Sequence, residues 1–217
     1  MRLRPISNGM KTFWRIVKWP LVIIAVLFVA LVIYRIPAAE ERLKTEEAVN
    51  KIHAQKITLA DVLGQNLPPE PDATLNNATV EGIDTNKNGI RDDVELAIFK
   101  MYPTSSRIRA AELQYALALQ NELTQVFNSE TFVGAVQEAS RGFFCIGDTF
   151  PKLSSSTDEQ TWQKQDTLFD TRIKEVETLV FNTPQRIQAR EESFRNATTH
   201  GDINKFNCDI DLKSLPN

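Results

Sequence analysis

Sixteen consecutive residues, 19–34 (WPLVIIAVLFVALVIY), carry no charge. As a helix rising 1.5 Å per residue they cover about 24 Å, against roughly 30 Å of bilayer hydrocarbon. Ile16 and Val17 lengthen the apolar run, and Lys18 and Arg35 can snorkel from its ends. Trp14, Trp19 and Tyr34 sit where interfacial aromatics belong, and local thinning accommodates a slightly short span. A cleaved signal peptide would show a shorter apolar core and a small-residue cleavage site. Here the exit reads Arg35-Ile36-Pro37-Ala38-Ala39, with no clean Ala-x-Ala and no cysteine to lipidate. A buried core helix would not crowd Val and Ile onto every face beside a basic cluster. Residues 19–36 therefore read as an uncleaved signal anchor.

Charge supplies the orientation. Residues 1–39 hold Arg2, Arg4, Lys11, Arg15, Lys18 and Arg35 and no acid, so the chain's net charge of −3 divides into a +6 head and a −9 remainder. Five of those cations precede the span, and the positive-inside rule then places residues 1–18 in the cytoplasm and the acidic part outside. The expected location is the inner membrane, crossed once, with the bilayer as a partner through residues 19–36. At 42% apolar and 24% charged residues, wholesale disorder, a collagen-like or coiled-coil chain and a multi-pass protein are excluded.

Residues 37–71 read as a stalk and a connector. Helix formers fill residues 40–53 with few apolar anchors, which predicts an exposed continuation of the anchor helix. Residues 61–64 form a short turn or helix end. Leu67-Pro68-Pro69-Glu70-Pro71 then enforces an extended connector. Residues 72–217 read as an all-α domain outside the cytoplasm, a small helical bundle. Residues 72–83 show no period. Helices are predicted from Asp92 to a stop at Pro103, over residues 105–127, from a cap at Ser129, and after a capping box at residues 156–159. Trp162, Phe169, Ile173, Val176 and Val180 form a core stripe on the fourth of these. Thr183-Pro184 opens a fifth, with Pro at the first helical position, and Gly201 ends it.

Residues 84–95, DTNKNGIRDDVE, match the pattern D-x-[DN]-x-[DN]-G-x5-E at every specified position. Ca²⁺ takes six to eight hard oxygens, and a twelve-residue loop can wrap it with alternate side chains. Asp84, Asn86 and Asn88 would supply positions 1, 3 and 5, the Ile90 carbonyl position 7, Asp92 position 9 and Glu95 a bidentate position 12. Gly89 permits the sharp turn. An ion-free alternative exists, since Asn88-Gly89 is a good turn and Asp92 with Glu95 suits a helix start.

This stretch resembles the loop of EF-hand-like proteins, over about a dozen residues and the exit helix. Two departures are visible. Position 8, a branched apolar residue in paired loops, is Arg91, and residues 76–83 do not read as an entering helix. Both point to a single unpaired loop, similar to those of dockerins, thrombospondin-type repeats and many exported bacterial proteins. The longer string from Leu67 to Glu95 is similar to a group of exported, membrane-anchored Gram-negative proteins. That resemblance implies a location and a loop, and no activity. With three charged ligands opposed by Lys87 and Arg91, the expected affinity is roughly 10⁻⁴–10⁻³ M, suited to a structural Ca²⁺.

Cys145 and Cys208 are the only cysteines. An even count in an oxidising compartment predicts a disulfide. The histidines, His53 and His200, lie in no nucleophile motif, and no zinc spacing, phosphate loop or nucleic-acid module is present. No catalytic residue stands out. The leading expectation is a non-enzymatic, tethered binding or scaffold module that contacts an envelope protein. A cell-envelope hydrolase with a carboxylate site is the alternative, and a calcium-responsive sensor the third.

Overall fold

The structure, a computed structural model, describes residues 8–199, 201 and 207–216. Arg2 and Arg4 of the basic head, and His200, lie outside these residues. The described chain is helical with no strand: α1 (Asn8–Ala54), α2 (Leu59–Val62), α3 (Ala73–Asn76), α4 (Asp92–Met101), α5 (Ser106–Thr124), α6 (Ser129–Asp148), α7 (Glu159–Val180) and α8 (Pro184–Phe194), with a 3-10 turn at Leu212–Ser214. The all-α expectation is met. The chain divides into two compact units, one ending at Glu46 and one running from Glu47 to Asn217.

In the first unit, one helix is long and apolar enough to cross a membrane, and its apolar side chains are exposed. Leu27, Phe28 and Ile33 each show about 60% or more of their surface (63%, 65% and 61%). Such a surface is costly in water and suited to lipid.

The second unit is a bundle organised around α5. A helix at the edge of a bundle buries one stripe, whereas one surrounded by neighbours buries nearly all of its faces. α5 is of the latter kind: Ala110, Ala111, Leu113, Ala116, Ala118 and Leu119 are buried together with Glu112, Gln114, Gln120, Asn121 and Glu122. Ile90, Val94 and Ile98 approach it from the loop and α4, Ile146 from α6, and Val176 and Val180 from α7. Trp162 is left out of this core, 46% exposed, because α7 meets the bundle only along its C-terminal half. Asn128 caps α6 in place of the expected Ser129, and within residues 156–159 it is Asp158 that caps α7. α8 stops at Phe194, well short of Gly201.

The end of α1 is no bare stalk. Ile52 is fully buried, His53 Nδ1 lies 2.8 Å from Glu138 Oε1, and Lys56 Nζ donates to Glu138 Oε2 at 2.6 Å. Arg141 joins Glu138 to Asp209, beside Cys208. Cys145 and Cys208 form the expected disulfide, with Cα atoms 5.0 Å apart and a sequence separation of 63. By chain entropy a link of that length stabilises by about 4 kcal/mol. It fixes the tail to the last turn of α6.

Candidate functional site: the 84–95 loop

No helix leads into the loop. α3 ends at Asn76, and two side chains shape the turn between that residue and Asp84. The Asn76 carboxamide oxygen accepts from Ile83 N at 2.9 Å, and Arg186, fully buried at the start of α8, gathers the turn. Its guanidinium donates to the carbonyls of Asn76 (2.6 Å), Thr79 (3.2 Å) and Val80 (3.1 Å), and to the carboxamides of Asn77 and Asn182. Burial and the Arg91 charge push Arg186 down to about 10, so it stays charged at any ordinary pH.

Asp92 closes the loop at its base. Its N–H donates to Ile83 O at 2.8 Å, while its two carboxylate oxygens accept from Thr85 N (2.9 Å) and Thr85 Oγ1 (2.6 Å). Asp92 is fully buried and begins α4, where its charge also suits the helix N-terminus. Ile90 anchors the middle of the loop in the core, and its N–H donates to Asn88 Oδ1 at 2.8 Å. Lys87 (φ 60°) and Gly89 (φ 89°) take left-handed backbone, the second at the position where glycine makes this cheap.

The remaining donors converge. Asp84 Oδ2 accepts from Gly89 N at 2.9 Å. Glu95 Oε2 accepts from Asn86 Nδ2 at 2.9 Å and from Asn88 Nδ2 at 3.1 Å, so three of the sequence-derived ligands meet at one carboxylate oxygen. Asp84 Oδ1 and Glu95 Oε1 are buried with no hydrogen-bond partner. Burial is the chief cause that pushes Glu95 up to about 7; the two carboxamides oppose it, and the charges of Asp61 and Asp92 add to it. Burial raises Asp84 as well, against hydrogen bonds from the backbone of Gly89, Lys87 and Asn88. Among the described residues no three His, Cys, Asp or Glu side chains form a metal-binding group. The loop's donor set mixes carboxylates with carboxamides.

Arg91 does not neutralise these acids. Its fully buried guanidinium turns away, donating to Leu179 O at 2.7 Å and Val180 O at 3.1 Å at the end of α7, and pairing with Asp93. Gly82 (φ 68°) makes room for it, since a Cβ there would lie 2.2 Å from Arg91 Cδ. Position 8 thus spends its side chain on the C-terminal carbonyls of a helix, which a branched apolar residue could not do. The sequence marks Arg91 as a departure from paired loops; it does not mark Arg186 at all.

A free carboxylate oxygen is not unique to the loop. Glu112 Oε2 is also buried and unpartnered, and burial pushes Glu112 up to about 7. Its other oxygen, however, accepts from Arg172 Nε at 2.7 Å. No family model, curated protein or solved structure matches the chain.

Proposed function

We propose that residues 84–95 bind one Ca²⁺ and that the chain is a single-pass inner-membrane protein presenting an ion-braced helical module to an envelope partner. One observation carries the ion: half-buried Asp84 and fully buried Glu95 each keep a buried oxygen without a partner, and the guanidinium of Arg91, within the loop, is committed elsewhere. Buried charge without a counter-charge is costly, and a divalent cation is the partner that two carboxylates and two carboxamides suit. A half-turn of the Asn86 or Asn88 carboxamide exchanges its NH₂ for its oxygen. Asp84, Asn86, Asn88 and Glu95 would hold the ion, with the Ile90 carbonyl, and Asp92 through water. When bound, the ion supplies positive charge and cross-links the start of α4 to the turn before it. The role is structural.

The N-terminal charge asymmetry supports a cytoplasmic N-terminus, and an outer location supplies calcium at the concentration a weak site needs. A scaffold fits better than a hydrolase. The strongly raised acids Glu112 and Glu122 are buried against Arg172 and Arg190, where no substrate reaches them. Thermal melts of the full chain in lipid nanodiscs test the ion: calcium is expected to raise the wild-type melting temperature and leave Glu95→Gln unmoved. An equal melting temperature in calcium and in chelator would remove the metal from the reading.

A further inference from the structure

The loop touches the end of the membrane-anchor helix. Gln55 follows the last residue of α1, and its N–H still closes the final turn on Lys51 O at 3.0 Å. Its carboxamide lies on the bare face of Gly89, the sixth loop residue. A Cβ on Gly89 would stand 3.0 Å from Gln55 Nε2 and 2.7 Å from a Leu117 methyl. Gln55 Oε1 is buried without a partner, and Gln55 borders a cavity of about 10 Å³, the size of a single water, that Gln114, Asn121, Glu138 and Asp209 also line. Further along, the Asn86 carboxamide that reaches Glu95 also donates to Asn66 O, at 2.9 Å, just before the prolines of the connector. Two loop positions, 3 and 6, thus hold the segment that joins the anchor to the bundle.

We infer that ion occupancy of the loop sets how firmly residues 47–58 are fastened to the bundle, with Gln55 as the coupling residue; this rests on the calcium reading proposed for the loop. The physical basis is the shape of residues 86–89. Without an ion, half-buried Asp84 and buried Glu95 each keep an unpartnered oxygen, and the backbone between them is held by the side-chain oxygens of Asp84, Asn86 and Asn88. An ion draws Asp84, Asn86, Asn88 and Glu95 together, which fixes Gly89 between them as a seat for Gln55. The contacts of His53 and Lys56 with Glu138 involve no residue of the loop. They form an ion-independent hold, so calcium loss loosens the helix end without releasing it. Coupling is reciprocal: docking of Gln55 strengthens calcium binding by the same factor.

Hydrogen exchange on the full chain in lipid nanodiscs tests this, with calcium, magnesium and chelator as the three conditions. In the wild type, calcium is expected to slow amide exchange in residues 84–95 and, by about tenfold, in residues 47–58. In Gln55→Ala, calcium still protects residues 84–95 but no longer residues 47–58; Gln55→Asn, with a shorter reach, gives the same pattern if Gln55→Ala does not fold. Protection of the loop alone in the wild type would overturn the coupling and leave the calcium site standing. No response in either segment would overturn both. A Gln55→Ala protein that responds like the wild type would remove Gln55 from the role.

Discussion

Two groups of buried acids in the same bundle are treated in opposite ways. Around Glu138 the fold supplies its own cations: Lys56 and Arg141 reach one carboxylate, with the His53 ring on its other oxygen, and Arg141 continues to Asp209. Hydrogen bonds from Lys56 and His53 hold Glu138 below its usual range despite burial. Around Glu95 the donors are the Asn86 and Asn88 carboxamides, the Arg91 guanidinium turns to other groups, and burial pushes the acid up to about 7. A chain that can satisfy Glu138 so fully can place a cation where one is needed. The described residues place no such cation on the Glu95 carboxylate, and this is the difference that the proposed ion would remove.

Breaking each group should give different signs. Glu138→Ala leaves Arg141 and Lys56 facing an empty site and is expected to cost about 3–5 kcal/mol, read by denaturant unfolding in either calcium or chelator. Next in size is the effect of the ion. At a calcium concentration a hundredfold above Kd, the wild type should gain about 2.7 kcal/mol, and Glu95→Gln nothing. In chelator, Glu95→Gln is expected to be as stable as the wild type or more so, since it removes a buried charge that has no counter-charge. A substitution at one glutamate is thus destabilising throughout, and at the other only when the ion is present.

Acidity should sharpen the contrast. Glu95 has a folded pKa above its unfolded value of 4.5, so the folded state binds the proton more tightly and stability in chelator rises as pH falls from above 7 towards 4.5. Glu112 and Glu122, also near 7, push in the same direction. Melting temperature against pH should therefore be flatter in Glu95→Gln than in the wild type across this window. Glu138 is lowered, so its contribution is present above 4.5 and is lost only below that value as pH falls through its folded pKa. The smallest expected effect is a control away from both acids. Asn128→Ala removes the capping box of α6 and should cost about 1 kcal/mol, unchanged by calcium.

Much of the helical order is legible from apolar periodicity and capping chemistry. Pro103 stops α4, Thr183-Pro184 opens α8, and Cys145 meets Cys208, all as the residues imply. What escapes is where charge goes inside. A reading that sends charged residues to the surface makes residues 40–53 an exposed stalk, yet His53 meets the carboxylate of Glu138 and Ile52 is fully buried. α5 defeats the stripe pattern for the same reason: Glu112 and Glu122 are buried, paired with Arg172 and Arg190 from α7 and α8. The twelve-residue spacing marks Asp84 to Glu95 as a unit. It cannot show that Thr85 occupies both Asp92 oxygens, or that Gly89 carries a side chain from residue 55, because these depend on the folded path of the chain and on neighbours distant in sequence.

The posture of Arg91 and Arg186 makes the twelve-residue segment a poor traveller. One arginine fastens it to carbonyls 88 and 89 positions downstream, and the other moulds the turn before it from more than a hundred positions away. A synthetic dodecapeptide, or a graft into a foreign turn, would carry every oxygen donor and lose the scaffolding that aims them.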